Sequence, residues 1–281
     1  MASFIEKLLE CCKSNNSLLC VGLDIDLAQT PPHVAGEANS ILAFNQAIID
    51  ATADLVCAYK PNLAFYEALG MDGIDALRRT LRHIPAHIPV IGDAKRSDVG
   101  HSAKAYAKAC FEVVGFDAVT VNPYLGRDSL QPFIDYRDKG IFVLCKTSNP
   151  GSGDFQDIGI VRDSSAASQP LFEVVARAVS GWNIYGNCGL VVGATYPEQL
   201  RTIRQIVPDM PLLIPGAGTQ AGDLEKSVQY GIDAKGELAI INSSRQIIYA
   251  SREKNFALAA REAAESLRDA INQARKSKGQ A

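Results

Sequence analysis

The sequence predicts an α/β fold of the (β/α)8 class, and three observations predict it. Eight short runs of apolar, largely β-branched residues recur along 281 residues. Each is followed by a segment whose apolar positions have helical spacing. No interior stretch rich in Pro, Gly or Ser divides the chain. Strict alternation of strand and helix builds a parallel sheet. Eight units in a chain of this length fit a closed barrel better than an open doubly wound sheet, because α/β barrels commonly run to about 250 residues as one domain. The expectation is one TIM-barrel domain over residues 1–281, with its core at about 18–275 and one extra helix in front.

The extra helix is expected at Phe4–Lys13. The eight runs are Leu18–Ile25, Val56–Lys60, Pro89–Lys95, Ala118–Tyr124, Ile141–Thr147, Gly189–Thr195, Pro211–Pro215 and Leu238–Ser243. They are apolar on both parities, as strands are when both faces are buried. Between them, Ala38–Ala53 carries the apolar residues Ile41, Leu42, Ala43, Phe44, Ala47, Ile48 and Ala51, at spacings of three and four. Helices are also expected at Ile74–Ile84, Ser102–Val114, Leu130–Tyr136, Leu171–Trp182, Glu198–Val207, Asp223–Tyr230 and Asn255–Arg275. Pro197 stands at a helix start, where its missing N–H costs nothing. Asn149–Gln169, rich in Gly, Ser and Asp, reads as a long irregular segment after the fifth strand, a lid or an interface element. The tail Lys276–Ala281 reads as frayed.

Composition narrows the function. Hydrophobic residues at 47% and charged residues at 21% are ordinary for a globular protein. With 28 basic and 31 acidic side chains the formal charge is −3, which gives no footprint for nucleic acid or an anionic membrane. Seven cysteines, an odd number with no Cys-x-x-Cys pair, imply free thiols and no structural zinc. His83 and His87 have i, i+4 spacing, but Pro85 lies between them, so both read as loop histidines and not as metal ligands. The N-terminus has no long apolar core like that of a signal peptide. No run approaches the ~18–20 apolar residues of a membrane-spanning helix. A cytoplasmic, soluble protein is expected.

In a parallel barrel the site forms where strands end. Seven of the eight expected strand ends carry a charge or an amide; only Gly193-Ala194-Thr195 does not. Asp93 and Lys95 are two apart and leave one face of the third strand. On spacing alone, a structural ion pair with Asp98 as a helix N-cap explains them equally well. Lys60, at the neighbouring strand end, shifts the balance. Lys60, Asp93 and Lys95, with Asp98 as a further candidate, alternate in charge, and each carboxylate favours the ammonium form of its neighbour. Such a lysine suits proton donation or anion stabilisation, whereas a Schiff-base lysine needs a lowered pKa. After the seventh strand, Gly216, Gly218 and Gly222 permit close backbone approach, and Gln220 can donate an amide hydrogen bond. Glycine is common in any tight turn, but with Arg245 at the next strand end a phosphate site becomes the better reading. Ser148-Asn149-Pro150-Gly151 reads either as a turn or as a hydroxyl set against a polar planar ligand.

Together these residues resemble a known family. Asp93-Ala-Lys-Arg-Ser-Asp98 is similar to the Asp-x-Lys-x-x-Asp signature of the orotidine 5′-phosphate decarboxylases. Lys60 in Tyr-Lys-Pro-Asn, Ser148-Asn-Pro-Gly, Pro215-Gly-Ala-Gly-Thr-Gln220 and Arg245 lie where that family's other motifs lie. The Lys-Pro-Asn and Asn-Pro-Tyr-Leu-Gly wording resembles its longer bacterial and archaeal branch. The resemblance runs from Asp24 to Arg245. It implies decarboxylation of orotidine 5′-monophosphate to uridine 5′-monophosphate, the last step of pyrimidine synthesis, with no metal and no cofactor. It implies Lys95 as proton donor to C6, Asp93 beside the departing carboxylate, Lys60 bridging Asp93 and the ribose, and Asp24 on the ribose. Ser148 would meet the pyrimidine amide edge, and Gly218, Gln220 and Arg245 the phosphate. The resemblance further implies a homodimer in which Asp98 and Ser102 reach the partner's site; Ser102 stands where the family often has Thr.

Two other readings compete. A magnesium-dependent sugar-phosphate decarboxylase or aldolase can share the third-strand motif, but it needs a carboxylate at the second strand end, where this chain has the cation Lys60. A non-catalytic phosphate-binding barrel would explain Arg245 and the glycines, but not the Lys–Asp array.

Overall fold

The eight expected runs form eight strands: β1 Leu19–Gly22, β2 Ala58–Lys60, β3 Ile91–Arg96, β4 Ala118–Val121, β5 Gly140–Lys146, β6 Cys188–Val192, β7 Leu212–Pro215 and β8 Ala239–Ser243. In this computed structural model, which describes residues 2–35, 39–161, 168–216 and 221–277 (221–223 by backbone only), all eight are parallel. Their lateral order is β2-β1-β8-β7-β6-β5-β4-β3. Isolated bridges from Tyr59 to Val90 and from Asn62 to Asp93 join β2 to β3 and close the ring. The fold is a (β/α)8 barrel. The strands read as apolar runs because the inner face fills the barrel while the outer face packs on helices. Tyr59 shows the outer face: its side chain is buried against the helix Ser40–Thr52, where its hydroxyl meets Thr52 Oγ1 at 2.8 Å and donates to the Ile49 carbonyl at 3.2 Å.

The extra helix is Phe4–Ser14. It starts at a capping box, in which Ser3 Oγ accepts from the Glu6 N–H and the Glu6 carboxylate accepts from the Ser3 N–H. The helix lies against the starts of the strands. Cys11 Sγ donates to the Val56 carbonyl, Lys7 Nζ sits 2.8 Å from Asp117 Oδ2, and the Phe4 ring meets Phe142 edge-on. It therefore leaves the strand C-terminal rim open.

Helix bounds depart from the apolar spacing by a few residues. Leu171–Trp182 is as expected, and Pro197 is the first residue of Pro197–Ile206. Gly70–His83 begins earlier than its apolar stripe. Thus His83 is not in a loop: it ends this helix, with Nε2 2.6 Å from Asp50 Oδ1. His87 does lie in the turn that follows. Gly100–Lys108 is α-helical and continues into a π-helical turn, Ala109–Val114. The segment after β5 is not irregular. It holds a 3₁₀ turn at Pro150–Ser152, a helical turn at Gly153–Gln156, and an antiparallel ribbon of Gly159–Ile160 with Gln169–Pro170; residues 162–167 lie outside the described residues. The seven cysteines are free and buried. No described helix is long and apolar enough to cross a membrane.

One buried cation that the sequence did not single out ties the lower rim together. The Arg204 guanidinium donates to the carbonyls of Gly231, Val207, Pro208, Met210 and Leu238 at 2.6–3.2 Å. An ammonium has three donors and no planar fork. Arg204→Lys is therefore expected to lower the unfolding free energy by about 2–3 kcal/mol, the cost of leaving buried carbonyls unpaired. Urea unfolding measures this, and an unchanged midpoint would refute it.

Candidate active site

The polar strand ends converge because every parallel strand delivers its C-terminus to one rim. β2 and β3 are registered there by the Asp93 N–H donating to the Pro61 carbonyl at 2.9 Å. This puts Lys60 beside Asp93. Lys60 Nζ lies 3.0 Å from Asp93 Oδ2 and 3.8 Å from Asp24 Oδ1, and Lys95 Nζ lies 2.6 Å from Asp93 Oδ1. Lys60 is buried, Asp93 and Asp24 are largely covered, and the Lys95 side chain is 49% exposed. Lys95 is thus the member of the array that faces the open mouth.

Strand alternation alone does not bring Lys95 back to Asp93. Between Gly92, paired with Val119, and Arg96, paired with Val121, the ladder slips, so Asp93, Ala94 and Lys95 together oppose Thr120. The bulge puts Lys95 at a φ of +47°, a left-handed conformation uncommon for a residue with a side chain. Thr120 Oγ1 accepts from the N–H groups of Ala94 and Lys95, both at 3.0 Å, and donates to Asp93 Oδ1 at 2.9 Å. A threonine in a strand is ordinary, so its sequence gave no signal.

The charges hold one another. Burial alone would raise the Asp93 carboxyl, but the ammonium groups of Lys60 and Lys95 outweigh it and lower its pKa from 3.8 to about 2. Burial likewise pulls Lys60 down, but Asp24 and Asp93 overcome this and leave its pKa raised. Cys20, inside the barrel below Lys60, is pushed by burial up to about 12 and stays a thiol. Asp24 Oδ1 is buried and accepts no hydrogen bond among the described residues. Its loop is held by two tyrosines that the sequence did not flag. Tyr66 Oη donates to the Leu23 carbonyl at 2.8 Å, and Tyr249 Oη contacts the Asp24 carbonyl and the Asp26 N–H.

On the other side of the rim, Ser148 is pressed into the end of β6. A Cβ at Gly193 would lie 2.7 Å from Ser148 N, Cα and Cβ, so only glycine admits this approach. Ser148 Oγ also lies 3.9 Å from where a Cβ of Gly216 would be, which places it next to the start of the loop after β7. Behind it, the fully buried Lys146 donates to Ser152 Oγ at 3.0 Å and Asp157 Oδ2 at 2.8 Å, and its ammonium lies 4.3 Å from the Tyr196 ring centre. This lysine fastens the segment that follows Ser148 to the loop after β6.

The structure thus brings Asp24, Lys60, Asp93 and Lys95 together. It does not bring Asp98 to them within one chain: Asp98 forms no ion pair among the described residues. Nor does Asp98 cap the next helix, since Val99 occupies the N-cap and Asp98 Oδ1 accepts from the Val99 N–H at 2.8 Å. Ser102 is exposed in the first turn of that helix, and Arg245 is exposed at the first turn after β8. Gly218 and Gln220 lie outside the described residues, and Gly222 is described by its backbone only.

A parallel barrel that gathers two lysines and two aspartates at its open rim is the layout of a barrel enzyme. Comparison with known proteins narrows this. The sequence model described as "Orotidine 5′-phosphate decarboxylase / HUMPS family" matches residues 17–260, and the chain belongs to that family. It is similar to the orotidine 5′-phosphate decarboxylase of Herpetosiphon aurantiacus, with 53% identity over 94% of this chain and 96% of the relative. It is also similar to that of Dehalococcoides mccartyi, with 52% identity over 97% and 98% of the two chains. Among solved structures it resembles the OMP decarboxylase of Leishmania donovani, with a TM-score of 0.83, 41% identity and coverage of 98% and 99%.

The shifted pKa of Asp93 makes a stability prediction. A carboxylate whose folded pKa is lowered adds stability above its unfolded pKa and loses it as pH falls toward the folded one. The gain for a shift from 3.8 to about 2 is roughly 2 kcal/mol at neutral pH. Asp93→Asn is expected to be less stable than wild type by about this amount near pH 7, with the gap about halved near pH 3. Urea unfolding at several pH values reads it, and a gap that does not change with pH would refute the ion-pair account.

Proposed function

We propose that this chain acts as one domain that decarboxylates orotidine 5′-monophosphate to uridine 5′-monophosphate in the cytoplasm, with Lys95 as proton donor and without metal or cofactor. The observation that carries the reading is the Lys60–Asp93–Lys95 array at the barrel mouth of a chain from this family. In the reaction the C6–carboxylate bond breaks, its electron pair stays on C6, and CO₂ leaves. The Lys95 ammonium stabilises that carbanion and transfers its proton to C6, then regains one from solvent. Asp93 lies beside the departing carboxylate and holds Lys95 in place. Lys60 bridges Asp93 and the ribose. Asp24 meets the ribose too, and its buried Oδ1, paired in charge with Lys60 but accepting no hydrogen bond among the described residues, is suited to a sugar hydroxyl. Ser148 hydrogen-bonds the pyrimidine amide edge. Gly218, Gln220 and Arg245 hold the phosphate.

The working unit is a homodimer. Half-buried Asp98 and exposed Ser102, apart from the array in their own chain, reach the partner's site. Val99, between them in sequence, is an exposed apolar side chain. The competing magnesium-dependent reading is disfavoured by Lys60, which stands where a metal ligand would be required and is raised, not lowered, in pKa.

The direct test is release of CO₂ from orotidine 5′-monophosphate by purified protein with chelator present. Lys95→Ala is expected to bind uridine 5′-monophosphate yet lose at least a thousandfold in turnover, as proton transfer and electrostatic stabilisation are removed together. Near-wild-type turnover would remove Lys95 from the chemistry, and activity that needs added magnesium would favour the metal-dependent reading. For the dimer, inactive Lys95→Ala and inactive Asp98→Ala subunits are expected to regain up to about a quarter of wild-type activity when mixed, the share of sites that combine both intact residues. No recovery after verified subunit exchange would place Asp98 outside its partner's site.

A further inference from the structure

We infer that Thr120 is a positioning residue for the reaction: its hydroxyl pins the bulge in β3 and thereby sets Lys95 against Asp93. The inference rests on the proposed function for its catalytic consequence, and on geometry for the rest. Asp93, Ala94 and Lys95 occupy the space opposite a single residue of β4. Two backbone N–H groups in the bulge therefore lack the strand partner that a regular ladder would provide. Both turn to Thr120 Oγ1 at 3.0 Å. The same oxygen has one proton, and it donates that proton to Asp93 Oδ1 at 2.9 Å. That carboxylate oxygen also accepts from Lys95 Nζ at 2.6 Å. The hydroxyl thus touches the backbone of the proton donor and the carboxylate that holds its ammonium.

Threonine and its neighbours are used to capacity here. A hydroxyl has one donor and two acceptor sites, and all three are engaged. Thr120 is itself buried, so water does not replace it readily. The left-handed φ of Lys95 is unfavourable for a residue with a Cβ and persists only where surrounding bonds hold it. Valine has the same shape and none of these bonds. With it, the bulge loses its two acceptor contacts and Asp93 loses a donor, while the charged groups themselves remain. A reacting group displaced by about 1 Å can lose about a hundredfold in rate.

The experiment compares wild type with Thr120→Val, Thr120→Ala and Thr120→Ser by steady-state kinetics on orotidine 5′-monophosphate. Hydrogen exchange is followed at the amides of Ala94 and Lys95. Val and Ala are expected to lower kcat by about 10–100-fold with KM changed less than about threefold, and to speed exchange at both amides. Ser, which restores the oxygen, is expected to return kcat to within about threefold of wild type and to restore protection. If Val lowers thermal stability enough to disturb the assay, Ala provides the same comparison. A Val or Ala variant with kcat within twofold of wild type overturns the inference, as does a Ser variant as slow as Val. If wild type itself releases no CO₂, the proposed function fails, and the exchange data still decide: unchanged protection in Val and Ala would show that Thr120 does not hold the bulge.

Discussion

One carboxylate shared between two ammonium groups is the interaction on which the rest of this rim depends. Asp93 accepts Lys60 on one oxygen and Lys95 on the other. Lys60 is buried, and burial alone pulls its pKa down; the carboxylates of Asp24 and Asp93 outweigh that pull. Asp24 supplies the second countercharge from β1 at a longer distance. The four groups sum to zero charge, so the array can be buried where a lone ion could not. Each comes from a different strand end except Asp93 and Lys95, so the array exists only when β1, β2 and β3 are in register. The bridges that close the barrel between β2 and β3 are therefore also what brings Lys60 to Asp93.

The same dependence explains the local irregularities. A regular β3 would send residues 93 and 95 out of one face about two residues apart, with their backbone satisfied by β4. Here the slip at Thr120 crowds three residues into the space of one and turns Lys95 left-handed. The bulge concentrates acid and base at one point, at the cost of backbone strain that hydrogen bonds from a neighbouring side chain offset. Across the rim the arrangement is similar in kind. Ser148 sits where it does because Gly193 has no side chain and because Lys146 ties the following segment to Ser152 and Asp157.

Much of this was legible in the sequence, and what was not has physical reasons. All eight strands could be read because burial on both faces leaves an unbroken apolar run. Asp93 and Lys95 were placed on one face by period-two alternation; the two do meet, but through a bulge that alternation does not contain. Thr120 gave no sign, since a β-branched residue in a strand is explained by packing alone. The π-turn at Ala109–Val114 shifts each hydrogen bond by one residue while leaving the apolar spacing nearly intact, so Ser102–Val114 read as one helix. Pro85 does separate His83 from His87, but the helix runs up to His83, just short of that proline, so only His87 lies in the turn. The segment after β5 looked irregular because its elements are too short to show a period, and its anchor, Lys146, is far from Asp157 in sequence.

The neutral sum of the array has a consequence for the proposed reaction. Substrate brings a carboxylate and a phosphate to a protein of net charge −3, so capture must be local. An array rich in net positive charge would bind the substrate carboxylate tightly and so stabilise the ground state as much as the transition state, which does not raise the turnover rate. Alternating charges avoid this. In the proposed reaction, as the C6–carboxylate bond stretches, negative charge leaves the carboxylate, placed beside Asp93, and builds on C6, placed beside Lys95. Two unit charges about 4 Å apart interact by about 4 kcal/mol at an effective dielectric constant of about 20, so even a partial transfer of charge toward Lys95 and away from Asp93 changes the energy by kilocalories. That difference grows along the reaction and is absent at its start. Its size depends on Lys95 being fixed in place before the substrate arrives, because an ammonium free to swing would follow the carboxylate in the ground state. The bulge, the left-handed Lys95 and the three-way hydroxyl of Thr120 provide that fixation, which ties the chemistry at C6 to the pairing of β3 with β4.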